Sequence, residues 1–310
     1  MRLLVVLATL FLTGCGHYIS VGVSAESEAR RYPLVRAAID CDLEDLKRLT
    51  PAHLNETDSI GRTALSWAMM RQCTDGALLL IEAGAAVHRR DKGHWSPVQQ
   101  AAIAGNARLL KALFDRGADP NDADANGANP LHHAAASGNK ESVELLISRG
   151  ALVNAANDKG ATPLHYGAAD ADVVDALIRA GANVNARATD DSTPISWAPR
   201  YPPKTGIEGM RALIRVGADF RSADEHGSTA FTVAAVRSDV QCAQELLALG
   251  ADVNRRGKTG KTVLSLIREV NSRDWTWSNI AFSLIDPGYK ASFQRAREME
   301  AFLVKNGATI

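Results

Sequence analysis

Seven Gly-Ala pairs, opening at Gly84, Gly117, Gly150, Gly181, Gly217, Gly250 and Gly307, stand 33, 33, 31, 36, 33 and 57 residues apart. A fixed period in this range marks a repeat array, in which each unit buries its apolar face only against its neighbours. Such a chain folds as a stack of similar pieces rather than around one large core. Aromatic residues make up 5% of the 310, and alanine is abundant. That composition suits short, closely packed helices.

The stretch from Asp124 to Ala156 shows the unit. Pro130 can open a helix, because its missing N–H has no intrahelical partner at the first position. Leu131, Ala134 and Ala135 give that helix one apolar face. Ser137-Gly138-Asn139 ends it, with Gly138 free to take positive φ. Val143, Leu146 and Ile147 mark a second helix, which Gly150 closes. The chain then runs extended through Val153-Asn154 to a turn. Unit starts at Asp58, Asp91, Asp124 and Asn157 are 33 residues apart.

The runs Ala161-Thr162-Pro163-Leu164-His165 and Asn129-Pro130-Leu131-His132 carry a further pattern. It is looser at Thr63, Ser96, Thr193 and Thr229. This resembles the ankyrin repeat, and the resemblance covers about residues 32 to 310. It implies an all-α repeat solenoid, each unit a helix-turn-helix plus a β-hairpin or loop, with about eight units including two caps. The units fall near 32–57, 58–90, 91–123, 124–156, 157–187, 188–223, 224–256 and 257–310. With helix pairs spaced about 8–10 Å apart, they would form a curved rod of roughly 70–80 Å. Both ends mix apolar positions with charge, as caps need for solubility. The last helix is expected near Phe293 to Lys305.

Three departures from the period stand out. The unit from Asn157 is two residues short at Ala169 to Asp172. The next holds Pro199, Pro202 and Pro203, which predict a protruding loop because proline is excluded from helix interiors. The last carries an insertion at about 272–292 with Trp275 and Trp277. Insertions in repeats map to one face, often the binding face. Those two tryptophans have two open readings, a partner contact or a cover over the end of the stack.

The N-terminus reads MRLLVVLATLFLTGCG. A charged start, a short apolar run and small residues before Cys15 have the form of a secretory signal. The run is too short to span a bilayer, which takes about 20 residues. LTGC resembles the lipobox of bacterial lipoproteins, and that resemblance implies a signal peptide over 1–14 and acylation of Cys15. An ordinary cleaved signal, with Cys15 incidental, is the alternative. Several acyl chains would give stable membrane attachment. Gly16 in place of Asp leans toward the outer membrane. Residues 15–31 read as the lipidated cysteine and a flexible tether, reaching roughly 50 Å at most.

Charge is balanced at 35 basic and 35 acidic residues, so no basic excess points to nucleic acid. GKTGKT at 257–262 is not a phosphate loop, since Arg255 holds the place of the required glycine. His132 and His165 fall in the family's turn-holding slot. His133 alone is a weak metal candidate, with no ligand at the spacing of a designed zinc site. No metal, cofactor or catalytic residue is assigned. Cys41 and Cys73 lie at near-equivalent places in adjacent units, late in the first helix. They are a possible disulfide, set against helix spacings that leave their Cα atoms near or beyond the 7 Å limit. Cys242 reads as facing the core.

The resemblance implies a monomeric, non-catalytic protein-binding scaffold with a concave face built from hairpin tips and first helices. Register against the family's variable positions selects Ile60, Arg62, Met70, Arg71, Lys92, Trp95, Asn126, Ser137, Lys159, Asp190, Arg200, Tyr201, His226, Arg237 and Lys261 as contacts with an unidentified protein partner. Trp95 is the best single anchor, with packing against the next unit's loop as its alternative. The expected setting is a bacterial envelope facing the periplasm, and the expected forms are a toxin immunity protein or an adaptor of a periplasmic enzyme. The rival readings are an enzyme or metal binder using His133 or the C-terminal insertion, and a host-directed effector.

Overall fold

The computed structural model describes residues 32–48, 53–200, 203–273 and 287–309. Cys15, Tyr201, Trp275 and Trp277 lie outside them, as does most of the insertion. The described residues hold sixteen α-helices in eight successive pairs and no strand. The β-hairpin or loop expected in each unit is a loop among the described residues, with one isolated bridge between Arg256 and Thr262. The chain divides into two compact units, Met1–Asp158 and Lys159–Ile310.

The first unit contains α1 (Pro33–Asp40), α2 (Leu43–Arg48), α3 (Ala64–Met70), α4 (Thr74–Glu82), α5 (Pro97–Ile103), α6 (Ala107–Asp115), α7 (Pro130–Ser137) and α8 (Lys140–Ser148). First helices pack on first helices (α1 on α3, α3 on α5, α5 on α7), and second helices do the same. The second unit contains α9 (Pro163–Tyr166), α10 (Ala171–Arg179), α11 (Pro194–Trp197), α12 (Pro203–Arg215), α13 (Ala230–Val236), α14 (Val240–Ala248), α15 (Val263–Arg273) and α16 (Pro287–Lys305).

The Gly-Ala pair is half of a larger device. Gly84, at φ 95°, follows the end of α4 in the left-handed region, where a side chain is costly. The chain then doubles back, so that the Ala85 N–H reaches the Leu80 carbonyl at 2.9 Å. This is a Schellman closure. The same bond links Ala118 to Leu113, Ala151 to Leu146, Ala182 to Leu177, Ala218 to Leu213, Ala251 to Leu246 and Ala308 to Leu303. All seven leucines are buried. Deleting one to alanine would cost about 2–5 kcal/mol.

At three places an asparagine joins a helix pair to its successor. Asn121 accepts the Leu152 N–H at 2.8 Å and donates to the Gly150 carbonyl at 3.0 Å. Asn185 does the same with Asp219 and Gly217, and Asn254 with Thr309 and Gly307. One side chain thus satisfies two backbone groups at the next helix end.

Two expectations are corrected. The proline-rich stretch is not a protruding loop over its described residues. Pro199 is buried in a 3-10 turn over Ala198–Arg200, and Pro203 opens α12. Both positions tolerate the missing N–H. The last helix begins at Pro287, six residues before Phe293, again with proline at its start.

Candidate functional site

Four of the tips are built on an acid. Asp58 Oδ1 accepts the N–H groups of Ile60 and Arg62 at 3.0 and 2.9 Å. Asp91, Asp124 and Asp224 repeat this at the same offsets. The acid's other oxygen is held from the first helix. Trp67 Nε1 donates to Asp58 Oδ2 at 2.9 Å, and His133 Nε2 lies 3.1 Å from Asp124 Oδ2. In the second unit Trp197 Nε1 donates to Ser192 Oγ, which bonds Asp190. The hairpin tips are therefore braced platforms, and adjacent tips share a backbone bond at Lys92–Ile60, Asp158–Asn126, Thr189–Lys159, Glu225–Asp190 and Lys258–His226.

His133 is thus engaged with a carboxylate and packs, tilted, against Trp95 with ring centroids 5.4 Å apart. Among the described residues there is no group of three or more His, Cys, Asp or Glu that could hold a metal ion. Burial pushes the Asp124 carboxyl up, but the His133 contact and the Asn126 and Ala128 N–H groups outweigh it and hold the acid below its ordinary value. His132 and His165 hold the turns through Nδ1, which accepts the N–H of Asn129 at 3.1 Å and of Thr162 at 3.0 Å. Gln99, Ser196 and Thr232 fill the same slot by the same reach back to the cap residue.

In the first unit Arg71, Lys92, Asn126 and Ser137 are exposed, while Ile60 and Met70 are half-buried. Arg62 does not belong with them. It is 4% exposed, stacked 5.1 Å over Trp67 and 3.5 Å from Asp91. A guanidinium with an aromatic face and a carboxylate in reach is drawn inward. Trp95 is half-buried, with its ring against His133 rather than standing open at the tip.

In the second unit Lys159, His226, Arg237 and Lys261 are exposed, the last paired with Glu269. Asp190 and Arg200 are half-buried. Arg200 lies 4.8 Å over the Trp197 ring, and Tyr166 packs on the other ring contact of Trp197 at 5.4 Å. Burial raises the Asp190 carboxyl, yet the Ser192 bonds and the Arg200 charge bring it below its usual range. Tyr166, Trp197 and Arg200 form a half-exposed cluster of the residue types that dominate binding hot spots. Register alone selected only the arginine.

Cys41 and Cys73 form a disulfide, with Cα atoms 5.6 Å apart. Neither residue is in a helix. Cys41 is the left-handed residue after α1, and Cys73 precedes α4. Helix spacing was therefore the wrong measure of their separation. Cys242 is a buried free thiol, and burial and Asp239 push its pKa up, which keeps it unreactive.

Comparison with known proteins gives the context. The family described as ankyrin repeats (3 copies) matches residues 34–124 and 98–188, and the single ankyrin repeat matches 226–258. The chain is 40% identical over 103 residues to ankyrin repeat and SOCS box protein 6 of Homo sapiens, 31% of this chain and 24% of that protein. It is 34% identical over 85 residues to inversin of Danio rerio, covering 27% and 8%. It is 37% identical over 62 residues to palmitoyltransferase AKR1 of Lachancea kluyveri, covering 20% and 8%. The chain therefore spans about a quarter or less of these curated relatives. What they share with it is a repeat that serves as a protein-interaction scaffold. The chain belongs to the ankyrin repeat family.

Proposed function

We propose that this chain is a lipid-anchored, non-catalytic scaffold of a bacterial envelope that captures a protein partner. The Tyr166–Trp197–Arg200 cluster carries the binding reading. It gathers three hot-spot residue types, half-exposed, at the ends of α9 and α11 and in the 3-10 turn that follows. The anchor reading rests on the LTGC run and Cys15, and the Cys41–Cys73 bond suits an oxidising, exported setting. Gly16 favours the outer membrane. The partner is a secreted or periplasmic protein, either a toxin blocked by this chain or an enzyme that it positions.

The test is capture from solubilised envelope and secreted fractions by the full chain, with a Tyr166→Ala/Arg200→Ala double substitution alongside. One partner retained by the native chain, and lost at least tenfold in the double variant, supports the reading. Equal retention by a folded double variant rejects the cluster as the site. Labelling with an alkyne palmitate tests the anchor separately, since Cys15→Ala must abolish it.

A further inference from the structure

The N-terminal helix pairs depart from the repeat at three positions that meet at one covalent bond. Cys73 stands where other second helices begin with a capping acid or amide. Asp42, Asn106, Asn139, Asp170 and Asp239 each accept the N–H three residues on, at 3.0, 3.1, 2.8, 3.0 and 3.1 Å. Cys73 makes no such cap. Cys41 takes, at φ 55°, the left-handed position held elsewhere by Gly105 and Gly138, and by Gln72 and Ser238 with side chains of their own. Gly76 stands where Leu109, Ser142, Val173 and Cys242 are buried in other second helices. A Cβ on it would lie 2.7 Å from Cys73 Sγ and 2.9 Å from Leu46 Cδ1.

Taken singly, each departure weakens the fold. A cap is lost, a side chain is placed at positive φ, and a glycine enters a helix. Together they make room for, and are offset by, the Cys41–Cys73 bond. We propose that this bond is the fastening that seats the N-terminal helix pair, residues 33–48, on α3 and α4, and that it makes this cap conditional on an oxidising environment. Helices α1 and α2 have eight and six residues, too short to persist without packing.

Release requires a dithiol reductant. Its thiolate attacks Cys41 Sγ, because Cys41 is exposed and Cys73 is 3% exposed. A mixed disulfide forms at Cys41, and Cys73 leaves as a thiolate that takes up a proton. The reductant's second thiol then displaces Cys41, which is protonated in turn, and the reductant departs as its own disulfide. Two electrons pass from the dithiol to the cysteine pair. The uncapped start of α4, the strained Cys41 and the space at Gly76 then remain without the bond. The cap loosens from its contacts with α3 and α4.

Hydrogen exchange on the full-length chain in detergent, with and without dithiothreitol, tests this. Alkylation mass counts the free thiols, and a Cys41→Gly/Cys73→Asn variant restores the repeat's own residues. Reduction is expected to speed exchange over 33–48 at least tenfold and leave 130–148 unchanged. The double variant should match the oxidised chain and ignore the reductant. Unchanged protection of 33–48 in a fully reduced chain overturns the proposal. So does a bond that dithiothreitol leaves intact, acceleration spread evenly over 33–158, or a double variant as loose as the reduced chain.

Discussion

His165 Nδ1 accepts the Thr162 N–H at 3.0 Å, so its ring proton sits on Nε2, 3.3 Å from the Ser192 carbonyl. The slot therefore needs a neutral imidazole. Burial lowers the pKa from 6.5 to about 4, the Ser192 carbonyl and the Asp190 charge opposing it and the Arg200 charge adding to it. An unfolded chain takes up this proton near pH 6.5, and the folded chain only near pH 4. The stabilisation is thus complete above the unfolded value and is lost as pH falls toward the folded one, about 3 kcal/mol in all. Thermal melts from pH 7.5 to 4 should show this, and His165→Gln, with the side chain that serves at Gln99, should remove that part of the slope. A variant as acid-sensitive as the native chain would refute the assignment.

Gly209 is fixed by a close approach rather than by its dihedral angles. It lies in α12 against the shortened turn after α9, and a Cβ there would overlap the Ala168 carbonyl oxygen and stand 2.7 Å from Ala169 Cα. Backbone cannot swing aside as a side chain can. Gly209→Ala is expected to cost about 3 kcal/mol, at the upper end of overpacking effects. Urea unfolding would measure it, and a midpoint within error of native would show that the turn is softer than its contacts indicate.

The bond between Trp67 and Asp58 is expected to matter more than the ring alone. Trp67→Phe keeps an aromatic face under Arg62 but removes the donor from an acid 5% exposed. A loss of about 1–3 kcal/mol follows from leaving that oxygen unmatched. His133→Phe should act likewise at Asp124. Stability unchanged in both would mean that the hairpins do not depend on these braces.

His94 holds φ 65° where five other hairpins have glycine and one has Asp191, at φ 59°. His94→Gly removes that strain and should raise stability by up to about 1 kcal/mol, less the added freedom of the unfolded chain. A drop in melting temperature would show instead that the imidazole makes a compensating contact.

Much of the architecture can be read directly from the residues. Proline or threonine before an apolar run, and glycine after one, place helix ends through local chemistry that needs no neighbour. The histidine slot is legible for the same reason. Arg62 was misplaced because register locates a position along a unit but does not show that Trp67 and Asp91 close around it. The prolines at 199 and 203 read as a loop in the sequence because exclusion from helix interiors says nothing of a 3-10 turn or a first helical position. The Tyr166–Trp197 contact left a visible trace, a ring or long polar side chain four residues after five of the caps, at Trp67, Gln100, His133, Tyr166 and Trp197. It is easily passed over, because each member alone looks like an ordinary core residue.

The asparagine joint between helix pairs, seen at Asn121, Asn185 and Asn254, has a consequence for how the chain can change. Asn121 and Asn185 find their partners about one period ahead, yet Asn254 makes the same two bonds to Gly307 and Thr309, 53 and 55 residues on. The joint recognises the shape of the next helix end and is indifferent to the amount of chain spent in reaching it. The stretch between α15 and α16 can therefore be lengthened, shortened or exchanged for a foreign segment while the final joint still closes, which makes it the natural place to graft a new module onto this scaffold.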